Sequence, residues 1–349
     1  MTIKVFDFFS GCGGTSKGFV QAGMESVFAL DFDHDAAETF KLNFPYTHVE
    51  QRDIRKLPTK SILEFVESQQ DSPILFCGCA PCQPFTKQNT TRLDKDKRTP
   101  LLNSFARFVQ RYKPHYVFIE NVPGLQKAKK SGPFDRFCRL LTRMKYSIAT
   151  EVVAAQDYGV PQTRRRLVLI ASRVGEIDIP LPTHGPKANR PHTTVEEWIA
   201  HFPPIEAGEE HAKVPNHRAA RLSSLNLARI RSTRPGEDRR SWPDHLKLAC
   251  HDNYDGHVDV YGRMKWTTPA TGLTTRCISL SNGRFGHPEQ HRAISVREAA
   301  ALQTFPDDFI FIGSLNSQAK QVGNAVPTKL SEAFARHILE HWETHNGQI

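Results

Sequence analysis

The stretch Gly78-Cys79-Ala80-Pro81-Cys82-Gln83-Pro84-Phe85 follows the apolar run Ile74-Leu75-Phe76-Cys77 and opens a segment rich in Lys, Arg, Thr and Asp. A buried strand that ends in a turn dense with Gly and Pro holds one thiol, Cys82, at a sheet edge, next to a polar loop over residues 83–99. A thiol there can serve as a nucleophile, or as a small apolar filler at a strand end. Glu120 ends the apolar run 116–119 and so falls at the carboxyl end of a strand, where α/β sheets bind ligands; its rival role is a structural pair with an Arg. Arg164 and Arg166 alternate on the approach to the run Leu167-Val168-Leu169-Ile170, which predicts one shared face. Two guanidinium forks there could hold an anion or a carbonyl, or be solvated edge residues.

The apolar run 3–9 leads directly into Ser10-Gly11-Cys12-Gly13-Gly14-Thr15 and a helix-like stretch over 16–22. Strand, glycine turn and helix start aim backbone N–H groups and a helix dipole at an anionic or carboxylate-bearing ligand. The next strand, 26–30, ends at Asp31, twenty positions after Gly11, where a nucleotide-binding βαβ unit places the carboxylate that receives ribose hydroxyls. Ser16 replaces the third Gly of the dinucleotide fingerprint and no Gly-Lys-Ser/Thr follows, so a nucleoside ligand without a pyrophosphate fits better. Asp53, at the expected end of a third strand, either meets an adenine amino group or caps the turn after it.

The charge balance, 46 Lys+Arg against 37 Asp+Glu for a formal +9, suits a polyanionic partner. Lys213–Arg240 carries much of this excess and is a sensible nucleic-acid backbone contact or a solvated helix face. No apolar run is long enough to span a bilayer, and the first residues run into a strand pattern without a signal-peptide layout, so a cytoplasmic protein with no membrane partner is expected. Seven scattered Cys do not form a disulfide framework. Cys77, Cys79 and Cys82 lack a second knuckle at finger spacing, so no metal site is expected.

At 349 residues the chain suggests two domains or one domain with a large insertion. Strand and helix patterns alternate through residue 172, then give way to a Pro- and His-rich region. Order returns with Ser295-Val296-Arg297-Glu298, a capping box, and with a final helix whose Leu330, Phe334, Ile338 and Trp342 form an apolar stripe. An α/β fold is expected, with its catalytic part in 1–172, completed by 293–349, and a smaller irregular domain in 173–292.

In this order, Asp7-Phe8-Phe9-Ser10-Gly11-Cys12-Gly13-Gly14, Pro81-Cys82-Gln83, Glu120-Asn121-Val122, Gln162-Thr163-Arg164-Arg165-Arg166, Arg297-Glu298 through Leu302-Gln303-Thr304-Phe305-Pro306, and Gln321-Val322-Gly323-Asn324-Ala325-Val326-Pro327 resemble the motifs of the DNA (cytosine-5) methyltransferase family. The resemblance implies a Rossmann-like S-adenosylmethionine-dependent methyltransferase sheet with helices on both faces, and a target-recognition domain between its parts. It implies that Cys82 attacks C6 of a flipped cytosine, that Glu120 holds the base at N3 and its amino edge, and that Arg164, supported by Arg166, holds the carbonyl and the loop. For the cofactor it implies Phe9 on the adenine, Asp31 on the ribose, Asp53 on the adenine edge, and Gly11, Gly13, Pro81 and Asn324 lining the rest. Arg52 precedes Asp53 where the family usually has Gly, and Thr86 stands where many relatives have Ser. The implied partner is double-stranded DNA, with a cognate restriction endonuclease and a monomeric, nucleoid-associated enzyme as further expectations. Pro84-Phe85-Thr86 also resembles the branch that methylates transfer RNA, which makes an RNA substrate the nearest rival. A catalytically silent nucleic-acid-binding protein on the same scaffold is the rival from another class.

Overall fold

A computed structural model describes residues 2–80, 100–124, 132–248 and 258–345. Cys82, Pro81 and the 83–99 loop lie outside the described residues. The chain runs through β1 (Lys4–Asp7), α1 (Gly14–Gln21), β2 (Glu25–Asp31), α2 (His34–Asn43), β3 (His48–Gln51), α3 (Leu63–Glu67) and β4 (Ile74–Cys77). It continues with α4 (Pro100–Tyr112), β5 (Tyr116–Asn121), α5 (Pro133–Arg143), β6 (Ser147–Ala154), β7 (Gln162–Thr163) and β8 (Arg165–Ser172). Then come α6 (Val195–Ile199), α7 (Ser224–Arg231), β9 (Ala270–Thr271), α8 (Val296–Leu302), α9 (Leu315–Asn324) and α10 (Thr328–His345).

One compact unit comprises residues 1–154, 165–182 and 328–349. Its seven-stranded sheet has the order β3-β2-β1-β4-β5-β8-β6, parallel from β3 to β5, with β8 antiparallel to both β5 and β6. Side-chain alternation along β5 shows why helices cover both faces. Val117 and Ile119 join the core that holds Phe105 and Phe108 of α4 and Phe137 of α5. Phe118, on the opposite face, meets Phe19 of α1 at 5.2 Å and Phe334 of α10 at 5.8 Å between ring centroids. The α10 stripe is buried as expected, with Leu330, Phe334 and Ile338 fully inaccessible. At the far end of that helix His341 Nδ1 lies 2.8 Å from the Tyr116 hydroxyl of β5, so the last helix is pinned to the middle of the sheet.

The other compact unit comprises 155–164 and 183–327. It contains short helices and the two-stranded β7–β9 pair. Residues 293–327, expected with the catalytic part, cluster in this unit. The reason is a buried polar frame. Arg292 forks both oxygens of Glu298 at 2.7 Å and donates to the Ile205 carbonyl, while Arg297 donates to the carbonyl of Pro215. Glu298 also closes the capping box on Ser295 that starts α8, as its spacing suggested. A carboxylate held by two guanidinium hydrogen bonds and a cap stays ionised despite complete burial, and its pKa lies below the ordinary value.

Candidate active site

In the sheet-bearing unit the strand order reverses between β1 and β4, which makes the carboxyl ends of these strands a topological switch point, the place where α/β sheets bind ligands. The glycine turn after β1 lies at this edge. Gly11 adopts φ +51°, and a side chain there would meet nothing within 4 Å, so the turn is open on its outer side. Its N–H donates to Asp31 Oδ2 at 2.8 Å, and Asp31 Oδ1 accepts from Asp33 N–H at 2.9 Å. The twenty-residue spacing seen in sequence is therefore a direct hydrogen bond. Burial pushes the Asp31 carboxyl up from its ordinary value, against the pull of those two N–H donors.

Gly13 is the N-cap of α1, where no side chain caps the helix, and its Cα packs on the rings of Phe40 and Phe44. Phe9 is half-buried and leans on the core. Phe32, directly after Asp31, was not singled out from sequence, yet its ring is 69 % exposed. A large exposed ring beside a ligand-type carboxylate was the available signal. Asp53 sits just past β3, and its carboxylate takes the Arg55 backbone N–H and the Arg55 guanidinium. Those bonds hold its pKa below the ordinary range, and the turn-capping alternative matches this placement.

At the carboxyl end of β5, Glu120 is buried and Arg166 Nε of β8 lies 2.7 Å from its Oε1. Burial lowers the Arg166 pKa, partly offset by the carboxylate beside it. Asn121, next along the strand, is buried and uses both ends of its amide. Its Nδ2 donates to the Ala80 carbonyl at 2.9 Å and its Oδ1 accepts from Val122 N–H at 2.8 Å, which ties β5 to the backbone two residues before Cys82. Cys77 and Cys79 bring their sulfurs within 3.6 Å, on one side as the period of two predicts. Among the described residues no group of three His, Cys, Asp or Glu is placed to hold a metal ion, and no helix is long and apolar enough to cross a membrane.

Arg164 departs from the expected shared face. Strand β8 begins at Arg165, and Arg164 belongs to the other compact unit. There it is buried and donates through NH1 to the Leu273 carbonyl at 2.9 Å and through NH2 to the Gly323 carbonyl at 3.2 Å. Gln162 and Gln303 extend this hub. Gln162 Nε2 donates to Gln303 Oε1, and Gln303 Nε2 donates to the Val322 and Ala325 carbonyls. Asn324, beside these carbonyls at the end of α9, keeps an exposed side chain.

The basic stretch 213–240 also changes character. Arg229 and Arg239 are buried, Arg229 over Trp242 at 5.1 Å, and Arg240 forks Asp238. These three serve packing and ion pairing within the unit, leaving fewer cations to meet a partner.

The family model for C-5 cytosine-specific DNA methylase matches residues 3–340. Type II methylase M.HgiDII of Herpetosiphon aurantiacus is 36% identical over 98% of this chain and 97% of its own length. Type II methyltransferase M1.HphI of Haemophilus parahaemolyticus is 33% identical over 97% of this chain and 87% of its own. Among solved structures, the Entamoeba histolytica methyltransferase EhMeth superposes with a TM-score of 0.68 at 16% identity, covering 98% of this chain and 99% of its own, a likeness of fold. With a methyltransferase sheet, a Gly11–Asp31 cradle and a Glu120–Arg166 pair at one edge of it, the chain belongs to the C-5 cytosine-specific DNA methylase family and is a DNA (cytosine-5)-methyltransferase.

Proposed function

We propose that the enzyme methylates C5 of a cytosine flipped out of duplex DNA, through a covalent bond between Cys82 and C6, as the modification half of a restriction-modification system. The observation that carries this reading is the buried Glu120–Arg166 pair at the carboxyl edge of the sheet. C5 of cytosine is a poor nucleophile. Addition of the Cys82 thiolate to C6 turns C5 into an enamine-like carbon, and loss of the C5 proton later expels the thiol. An unperturbed thiol with pKa near 8.5 is only about 3% ionised at pH 7, so the site must raise the thiolate fraction or supply a base. Glu120, once it has taken up a proton, donates to N3 as charge builds there. Arg166 stands against Glu120 at the carboxyl edge of the sheet and holds the cytosine carbonyl in this reading, while Arg164 donates to the Leu273 and Gly323 carbonyls and has a supporting role.

The residues of the glycine turn fit S-adenosylmethionine. Asp31 would receive the ribose, Phe9 and Phe32 would flank the adenine, Gly11 leaves room beside the turn, and the uncapped start of α1 suits a carboxylate. When bound, this group supplies an electrophilic methyl. Gly13, Asp53, Pro81 and Asn324 remain further contacts in this reading, with Asp53 dependent on release of Arg55. Extrusion of the base costs a few kcal/mol, offset by contacts in the pocket and from the 83–99 loop.

The test is trapping. Duplex DNA with 5-fluorocytosine at target sites should give a denaturation-resistant adduct with the wild type and none with Cys82→Ala. A wild type that transfers methyl groups without ever trapping would end the nucleophile assignment. Labelled S-adenosylmethionine offered with duplex DNA and with tRNA separates the RNA rival: transfer to RNA alone would overturn the DNA reading. The names of the Type II relatives support the restriction-modification setting.

A further inference from the structure

The unit formed by 155–164 and 183–327 contains a groove of about 280 Å³ that none of the roles above uses. Its wall includes Thr163 and Thr271 of the β7–β9 pair, Thr268 and Pro269 before it, Lys265, and Arg284. The two cations are in different states. Arg284 is neutralised: its Nε donates to Asp259, its NH1 to the carbonyls of Gly236 and Glu237, and its NH2 to Asp238. Lys265 is exposed and has no acidic partner among the described residues.

The position of Lys265 is nonetheless built. A side chain on Gly236 would come within 2.0 Å of Lys265 Cε and 3.0 Å of its Cδ and Cγ, so the lysine stem lies along a glycine whose φ is +83°. The glycine itself is fixed by its N–H on the Arg263 carbonyl at 3.0 Å and by its carbonyl on Arg284. Arg263 in turn is buried, donating to the carbonyls of Thr233, Ile230 and His287. The buried Arg263 and the ion-paired Arg284 thus support a bare glycine shelf, and the shelf carries one uncompensated ammonium over a groove with threonine hydroxyls.

We propose that this groove takes a phosphodiester of the nucleic-acid substrate, with Lys265 as its charged contact and Gly236 as the residue that positions it. The proposal rests on the DNA reading of the substrate, which supplies the polyanion. A single ammonium among hydroxyls suits one phosphate, whereas reading a base edge calls for paired donors and acceptors in a fixed fork. Such a contact adds affinity without sequence preference and follows salt.

The experiment measures duplex affinity against salt for the full-length wild type, Lys265→Ala and Gly236→Ala, with thermal melting to confirm that each folds. Removing one phosphate contact should lower the magnitude of the slope of log K against log[salt] by about 0.9 and weaken target and non-target duplexes by the same factor. Gly236→Ala keeps the charge but displaces the stem, and should reproduce part of that change. Should Gly236→Ala melt early, Lys265→Gln, which keeps most of the length and removes the charge, replaces it and should match Lys265→Ala. An unchanged slope in folded Lys265→Ala overturns the groove assignment. A wild type that binds no duplex overturns the substrate reading instead, a distinct result. Replacing chloride by inorganic phosphate at fixed ionic strength should leave the difference between wild type and Lys265→Ala in place. If phosphate erases it, the groove is a small-anion site and the proposal falls.

Discussion

Arg166 Nε of β8 stands 2.7 Å from Glu120 Oε1 of β5, two charged side chains on neighbouring antiparallel strands. Breaking a buried pair by deleting one partner leaves the other charge without compensation, at about 3–5 kcal/mol. Arg166→Ala should therefore lower stability by several kcal/mol. Glu120→Gln, which keeps shape and some hydrogen bonding, should lose about 10²–10⁴-fold in turnover with a smaller stability change. Chemical denaturation and single-turnover methyl transfer on both variants and the double variant would check this, and additivity in the double variant would contradict coupling.

Asp31 binds two backbone N–H groups, one of them the Gly11 N–H that shapes the turn. Hydrogen bonds to a charged group contribute about 1.5–3 kcal/mol. Asp31→Ala should weaken S-adenosylmethionine binding at least 10-fold in calorimetry, and should also lower the melting temperature because both backbone N–H groups lose their acceptor. Unchanged affinity would remove the cradle from the cofactor site.

Gln303 donates to two buried carbonyls at the end of α9 and accepts from Gln162. Replacement by Leu strands those groups without water, at about 1–3 kcal/mol each. Gln303→Leu should destabilise the unit holding 183–327, seen as faster hydrogen exchange around 270–275 and 322–325. Exchange rates equal to wild type would show that the hub is not a support.

Asp7 is buried at the end of β1, accepts from the Ser16 hydroxyl at 2.9 Å, and is pushed by burial to about 6 from the ordinary 3.8. The folded state thus binds the proton more tightly than the unfolded chain. Its contribution is fully present below about pH 4 and is lost as pH rises through about 6, a loss of about 3 kcal/mol at 1.36 kcal/mol per unit. Asp7→Asn should flatten this part of the stability profile between pH 4 and 7. A wild-type profile identical to that of Asp7→Asn over the range would refute the assignment.

Much of the architecture was legible in the chain itself. Short apolar runs ending at a Gly turn or an acidic residue marked β1, β2, β4 and β5, because a strand buried on both faces needs continuous apolar character and must stop where polar groups reach solvent. The capping box at Ser295 and the i, i+4 stripe of α10 were equally readable, since both depend on residues a turn apart. The Gly11–Asp31 contact followed from a fixed spacing across one βαβ unit.

Other features depended on contacts distant in sequence. Arginines two positions apart in one motif separate, Arg164 into a carbonyl hub with Leu273 and Gly323, and Arg166 onto Glu120. No periodicity distinguishes them, because each partner lies tens of residues away. The same holds for residues 293–327, drawn into the second unit by the Arg292–Glu298 and Arg297 frame, and for Arg229, counted as a free cation until Trp242 and the Leu246 carbonyl cover it. Residue types and short spacings name the chemistry and the local elements. Which of several like charges is buried, paired or free is set by long-range packing, since desolvation depends on everything that surrounds the group in space.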